Sequence, residues 1–499
     1  MHKNLDTVIK KLYQLIITRL EGTDVLNNEY RNRIFELVRK GIGGFILFGG
    51  QRDIVPAFID EMQSLSEIPL FIASDIERGV GQQITGMTHF PCNMAVASAI
   101  KIDNKEDVLM LEDMIIAIAD EAKASGINMP LIPVLDVNKN PDNPIICTRA
   151  FSDDPDTVAW FGSKFINILE REGLISCAKH FPGHGDTSVD SHISLPFISK
   201  SINEIYDSDL VPFKKAINEK VSAMMIGHLS IQAIDSLPSS LSAKTINELL
   251  RKELGFEGLI LTDALNMKAL KDIGNIPTKC LSAGANVILH PENVEETVCE
   301  IQRAIEAGVL DEKIIDSSID RILNIKLKLG HSTKPTVDLI HNDNLSKKII
   351  DKSIALVKSS HEVLPIKNLD DSCLIITGDI DFSGISALRS FFKNVTNISD
   401  DSAKLQKIAI FAIFTSVSAW KGSSGLDELE INRIREFVKK ADKSIIISFG
   451  SPYVLSHFSD ADALIAAYDK SEYCQHAVTA LLMGRSEFKG CLPVRLYEV

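Results

Sequence analysis

The densest chemistry in the chain lies at Lys179–His192, read as Lys-His-Phe-Pro-Gly-His-Gly-Asp-Thr-Ser-Val-Asp-Ser-His. It holds His180, His184 and His192 together with Asp186 and Asp190. Imidazoles titrate near neutral pH and can give and take a proton. A carboxylate two residues away, as Asp190 is from His192, is within reach to fix a tautomer and stabilise an imidazolium. The same residue types also bind zinc, so a metal site is the first rival. Against it, the chain has no H-E-x-x-H spacing, and a loop rich in Gly and Pro is no rigid ligand platform. The expectation is therefore no metal and no cofactor.

These side chains need a scaffold. The apolar run Leu174–Ala178 reads as a buried parallel strand, and Pro182, Gly183 and Gly185 mark its exit into a loop. Similar strand-like runs occur at Gln14–Leu20, Gly44–Phe48, Leu70–Ala73, Ile127–Leu135, Ala223–His228, Leu259–Thr262 and Ala285–His290. Helix-like segments lie between them, at Asn28–Lys40, Lys105–Ala124, Asp156–Glu172, Ala243–Leu254 and Val294–Ala307. Alternating strands and helices imply a parallel sheet, and eight strands in about 300 residues favour an α/β fold of the (β/α)8 TIM-like barrel type. An open sheet stays possible, because periodicity does not report closure. Several strands end in Asp, His or Lys: Asp75, Asp136, Lys179-His180, His228 and Asp263. In a barrel such tips converge on one mouth. A single Asp after a strand is an ordinary helix N-cap, but five polar tips together exceed what capping requires.

Beyond Gly330 the texture changes. Ser332–Asn342 and the following Asp343-Asn344 read as a linker. A helix is expected over Leu345–Lys358, then strands at Cys373–Thr377, Ile408–Phe414, Ser444–Phe449 and Ala463–Ala467 with a helix at Leu426–Lys439. The expected organisation is a catalytic barrel over 1–331, a linker over 332–348 and a second α/β sandwich domain over 349–499.

Composition bounds the partners. The 499 residues are 45% hydrophobic and 24% charged, with a net charge of −14 that disfavours nucleic acid and anionic membrane surfaces. No G-x-G-x-x-G follows an early strand, so dinucleotide binding is poorly supported. The eight cysteines form no C-x-x-C pair and read as reduced thiols. Neither a signal peptide nor an apolar run of about 18 residues is seen, so a cytoplasmic protein is expected. A monomer or homodimer is expected.

Lys179–His192 resembles the K-H-F-P-G-H-G…D-S-H signature of family 3 glycoside hydrolases of the β-N-acetylglucosaminidase type. The segments Gly43–Phe48, Asp75-Ile76-Glu77, Thr148–Phe151 with Asp154-Pro155, Leu210–Lys214 and Gly258–Met267 also resemble that family, in order, across residues 10–330. Gly490–Val494 resembles the end of the family's C-terminal domain.

The resemblance implies retaining removal of terminal GlcNAc, with Asp263 as nucleophile and His192, oriented by Asp190, as acid/base. It implies sugar contacts from Asp75, Arg149, Lys179, His180, His228 and Met267. Gln83 stands where the family usually carries a sugar-binding arginine, which bears on substrate preference. The substrate class implied is GlcNAc glycosides, specifically GlcNAc–anhydroMurNAc peptides of recycled peptidoglycan. Each assignment has a plainer counterpart. Asp263 would cap a helix over Ala264–Leu270, Lys179 would form a structural ion pair, and His180 and His228 would be satisfied core histidines. His184 and Asp186 are read as shaping the loop. Rival functions are a β-N-acetylglucosaminide phosphorylase, because a histidine acid/base does not repel an incoming phosphate, a broader β-glycosidase, and a non-catalytic muropeptide-binding sensor. A sensor has no need of Asp263 or of the Asp190/His192 pair.

Overall fold

The computed structural model describes residues 8–191, 193–329, 334–360, 363–380, 383–399, 406–417 and 421–496. His192 lies outside the described residues. The chain divides into two compact units that are not consecutive in sequence. The first comprises residues 1–90, 112–137 and 155–342, and the second residues 91–111, 138–154 and 343–499.

The first unit carries eight strands: β1 (Ile16–Glu21), β2 (Gly44–Phe48), β3 (Phe71–Ser74), β4 (Met129–Pro130), β5 (Cys177–Phe181), β6 (Ala223–Ile226), β7 (Leu259–Thr262) and β8 (Ile288–Leu289). They pair in parallel in the orders β8-β1-β2-β3-β4 and β5-β6-β7. Both seams between these ladders are bridged. Val134 pairs with Lys179, and Leu135 N–H donates to the Lys179 carbonyl at 2.7 Å. Leu261 pairs with Val287, and Thr262 N–H donates to the Val287 carbonyl at 3.0 Å. The eight strands therefore close into a ring. The β4 ladder is much shorter than Ile127–Leu135 because Pro130 and Pro133 have no N–H to give.

Helix boundaries follow the local chemistry. Asn28–Lys40 starts where the Asn27 side chain accepts from the Glu29 and Tyr30 amides, and it stops where Gly41 takes the left-handed conformation. Lys326 sits at the amino-terminal end of the ring, fully buried. Its Nζ donates to Gln14 Oε1 at 3.0 Å and to the Gly43 carbonyl at 2.8 Å, and lies 4.6 Å from the Phe71 ring centre. With no carboxylate among these partners, burial pulls its pKa down to about 7.

The second unit is built on a six-stranded sheet with β9 (Ala355–Ser359), β10 (Ser372–Gly378), β11 (Val395–Asn397), β12 (Ile408–Phe414), β13 (Lys443–Ser448) and β14 (Ala463–Ala466). Its order is β9-β14-β13-β12-β10-β11, all parallel except β9 against β14. Its core includes Cys92, Met94, Ala95 and Cys147, which explains why the segments 91–111 and 138–154 belong here despite their place in the chain. Two expectations need correction. The helix expected over 345–358 runs instead over Leu339–Ser353, so part of the stretch read as linker is helical. Leu345, Ile349 and Ile350 form its buried stripe, and that packing overrides the weak helix propensity of Asn342-Asp343-Asn344. Residues 355–359 form an antiparallel edge strand, β9.

Candidate active site

The site is assembled at the carboxyl ends of the barrel strands. Lys179, on β5, is 1% exposed, and its Nζ lies 2.6 Å from Asp75 Oδ1 and 2.8 Å from Glu77 Oε1, both just beyond β3. The plainer reading of Lys179 as an ion-pair partner is thus realised. A lysine held between two carboxylates presents donors and acceptors side by side, which suits vicinal hydroxyls.

His180 is oriented by Asp136, a fully buried carboxylate beyond β4. Its Nδ1 lies 2.7 Å from Asp136 Oδ2, so Nδ1–H is given to the carboxylate and Nε2 is the nitrogen left to face a ligand. Asp136 Oδ1 also accepts from the His184 amide at 2.7 Å. Burial pushes the Asp136 pKa up, but the charge and hydrogen bond of His180 and the contacts of His184 outweigh it, so the carboxyl is held below its usual range. The Lys179–His180 and Phe181–Pro182 peptides are both cis.

His184 holds the loop. Thr187 Oγ1 donates to the His184 carbonyl at 3.1 Å, so Nδ1, 2.8 Å from the same oxygen, must carry the proton. Nε2 then accepts from Ser191 Oγ at 3.1 Å. Burial, reinforced by the neighbouring His180 charge, lowers this imidazole to about 4 and keeps it neutral. Asp263 is near enough for its charge to act in the opposite direction. Ser191 follows Asp190 directly, so His184 helps fix the backbone that carries Asp190. Asp190 is 1% exposed, and its carbonyl accepts from the Ile193 and Ser194 amides. Gly185 cannot be replaced here, since a Cβ would come 1.9 Å from the Val137 carbonyl oxygen. Lys200 ties the loop further by bridging Asp186 at 3.2 Å and Asp209 at 2.9 Å.

Asp263 follows β7 directly. Its amide donates to the Ile226 carbonyl at 3.0 Å, and its Oδ1 accepts from the Ala264 amide at 2.8 Å. The helix expected at Ala264–Leu270 is only a single turn at Lys268–Leu270, so Asp263 does not cap it. Met267 is buried at the start of that turn. His228 is fully buried, with Nε2–H donating to the Ala264 carbonyl at 3.3 Å and Nδ1 accepting from Ser240 at 2.8 Å. It props the segment after Asp263. Gln83 also works on the scaffold: Nε2 donates to the Asp75 carbonyl at 3.1 Å and Oε1 accepts from the Gly49 amide at 3.3 Å. Arg149 belongs to the second unit, where its Nη1 donates to the Ile145 carbonyl at 3.0 Å.

Two residues had no role in the sequence reading, Asp136 and Glu77. Both stand at strand tips already marked as polar, but which partner each would meet depends on the ring.

Residues 7–325 match the family model described as the glycosyl hydrolase family 3 N terminal domain. The chain belongs to that family. It is 28% identical to a β-hexosaminidase A of Pseudoalteromonas piscicida, in an alignment covering 91% of this chain and 89% of that protein. A β-N-acetylglucosaminidase/β-glucosidase of Cellulomonas fimi is 26% identical over 91% of this chain and 88% of its own length. Among solved structures, the family 3 β-N-acetylglucosaminidase of Paenibacillus sp. str. FPU-7 superposes with a TM-score of 0.84 at 26% identity, covering 99% of each chain. The chain is a glycoside hydrolase with a (β/α)8 barrel and an α/β sandwich domain.

Proposed function

We propose that the protein is a retaining exo-β-N-acetylglucosaminidase. The observation that carries this reading is the pairing of Asp263, at the tip of β7, with the Asp75–Lys179–Glu77 grip and the Asp136-oriented His180 around the same barrel mouth. Similarity to a β-hexosaminidase and to two β-N-acetylglucosaminidases supports a GlcNAc glycoside as substrate.

In the proposed mechanism an Asp263 carboxylate oxygen attacks C1 of the terminal sugar. The C1–O bond breaks, and its electron pair goes to the leaving oxygen, which takes a proton from His192. Water then attacks C1, returns its proton to His192 and expels Asp263, so two inversions give net retention. Asp190 orients His192 and stabilises its imidazolium. The GlcNAc–anhydroMurNAc peptides of recycled peptidoglycan are the proposed natural substrates, and the cytoplasm the proposed location.

Hydrolysis of aryl β-GlcNAc and aryl β-glucoside, with and without phosphate, tests the reading. GlcNAc release is expected from the first, with Asp263→Ala abolishing it. His192→Ala is expected to slow a disaccharide more than an aryl glycoside, whose leaving group needs little protonation. Faster turnover of the β-glucoside would favour the broader glycosidase, a reading the name of the Cellulomonas relative supports. Sugar 1-phosphate in the phosphate arm would favour a phosphorylase.

A further inference from the structure

One arc of the mouth, the tips of β8, β1 and β2, carries none of the side chains proposed above to act on the sugar; Gln83 meets it only at the Gly49 amide. Arg19 is level with Ile46, and Ile46 with Ala73, so the three share one face of the sheet. Alternation puts Glu21, Phe48 and Asp75 on that same face one step nearer the mouth. Asp75 reaches Lys179 past β4, which requires the inside of the ring. Arg19 and Glu21 therefore also point inward. There they remain 42% and 32% exposed, whereas Thr18 and Leu20, on the opposite face, are buried. Arg19 pairs with Glu21 and lies 4.5 Å from the centre of the Phe48 ring. His290, just after β8, packs its ring 6.1 Å from that of Phe48. Burial and the Arg19 charge lower His290 to about 4, so it is a neutral wall and Arg19 and Glu21 carry the charge of the arc.

We infer that Arg19, Glu21 and Phe48 read the C6 hydroxymethyl group of the terminal sugar. This rests on the proposed role of Asp263 at C1. Strands β3 and β7 are four apart in a ring of eight, so Asp75 and Asp263 face each other across the mouth. C1 and C4 are opposite corners of a pyranose; placing C1 at Asp263 sends C4 toward Asp75. Lys179, ion-paired with Asp75, and His180 stand on the β5 side, where two adjacent donors match the polar substituents of C3 and C2. The C5–C6 edge is left to face β8, β1 and β2. A hydroxymethyl group offers an apolar carbon to the Phe48 ring and one hydroxyl that both accepts and donates. Arg19 supplies the donor and Glu21 the acceptor.

The test measures kcat/KM for an aryl β-GlcNAc and its 6-deoxy counterpart with the wild type and Arg19→Ala. The wild type is expected to prefer the parent by about tenfold, since a site built for a hydroxyl discriminates against its absence. Arg19→Ala is expected to lose about tenfold on the parent and less than about twofold on the 6-deoxy sugar. Equal loss on both, or loss on neither, would overturn the assignment of Arg19 while leaving the proposed function standing. Failure of the wild type to cleave either GlcNAc glycoside would instead overturn the proposed function, and this inference with it. Should Arg19→Ala not fold, Arg19→Lys serves, since a lysine keeps the charge without the fork. A reduced preference for the parent sugar supports the inference, and an unchanged one refutes it.

Discussion

Lowering the pH should destabilise the chain through one buried imidazole, His184, which holds the loop after β5. In the folded chain it is held to about 4, against about 6.5 when exposed. Between these values the unfolded chain binds a proton that the folded chain does not, so stability falls as pH falls from 6.5 toward 4. At pH 4.5 the loss from this group alone amounts to roughly 2.5 kcal/mol relative to neutral pH. His184→Asn removes the titration while keeping a neutral hydrogen-bonding group. At pH 7 the variant should be less stable by about 1–2 kcal/mol for lost packing and hydrogen bonding. That deficit should vanish or reverse by pH 4.5. The assay is urea denaturation followed by intrinsic fluorescence, run on both proteins at pH 7.0, 5.5 and 4.5. Only the difference between the two matters, because other acid-titrating groups are shared. The Asp136 contribution is lost below the ordinary carboxylate range, where its depressed pKa lies, and so falls beneath this window. A difference that stays constant from pH 7 to 4.5 would mean that folded His184 takes up a proton as readily as an exposed imidazole, and the claim that burial keeps it neutral would be wrong.

Lys326 should show a slope of the same sign in a more alkaline window. Its folded pKa of about 7 lies below the unfolded value, so wild-type stability gains as pH rises from 7 toward 10. Compared with Lys326→Met by the same denaturation assay, wild type should improve by on the order of 3 kcal/mol between pH 7 and 9.5, and a flat difference would contradict a proton-poor buried lysine. Asp136→Asn should lower kcat/KM on an aryl β-GlcNAc by about 10- to 100-fold, the worth of a charge-assisted hydrogen bond to His180, with activity within twofold of wild type counting against that orienting role.

Much of the architecture was legible because a buried parallel strand writes itself as an apolar run ending in a polar residue. The eight runs from Gln14 to His290 became the eight strands of the ring, and the tips Asp75, Lys179, His180 and Asp263 fell at its mouth. Boundaries failed where side-chain contacts outvote local preference. The helix at Leu339–Ser353 starts inside a stretch that its Asn and Asp residues marked as linker. Residues 91–111 and 138–154 pack with the second unit because Cys92, Met94 and Cys147 complete its core, a fact that no linear division expresses.

Partners were less legible than positions. Glu77 and Asp136 could be seen at strand ends, but that one clamps Lys179 and the other aims His180 depends on distances between chain segments about 100 and 44 residues apart. Arg19 makes the sharper case. Inside the run Gln14–Leu20 a single arginine reads as the outward charge of an otherwise buried strand. Its true direction comes from a chain of registers, Arg19 to Ile46 to Ala73, fixed by the inward reach of Asp75 two residues further on. Register is a relation between strands, and a single strand's pattern is unchanged when the whole sheet is turned over. The face a charged residue occupies is thus decided by a contact far away in the chain, here the ion pair of Asp75 with Lys179, and the same ion pair that is proposed to grip the sugar also tells which side of β1 faces the mouth.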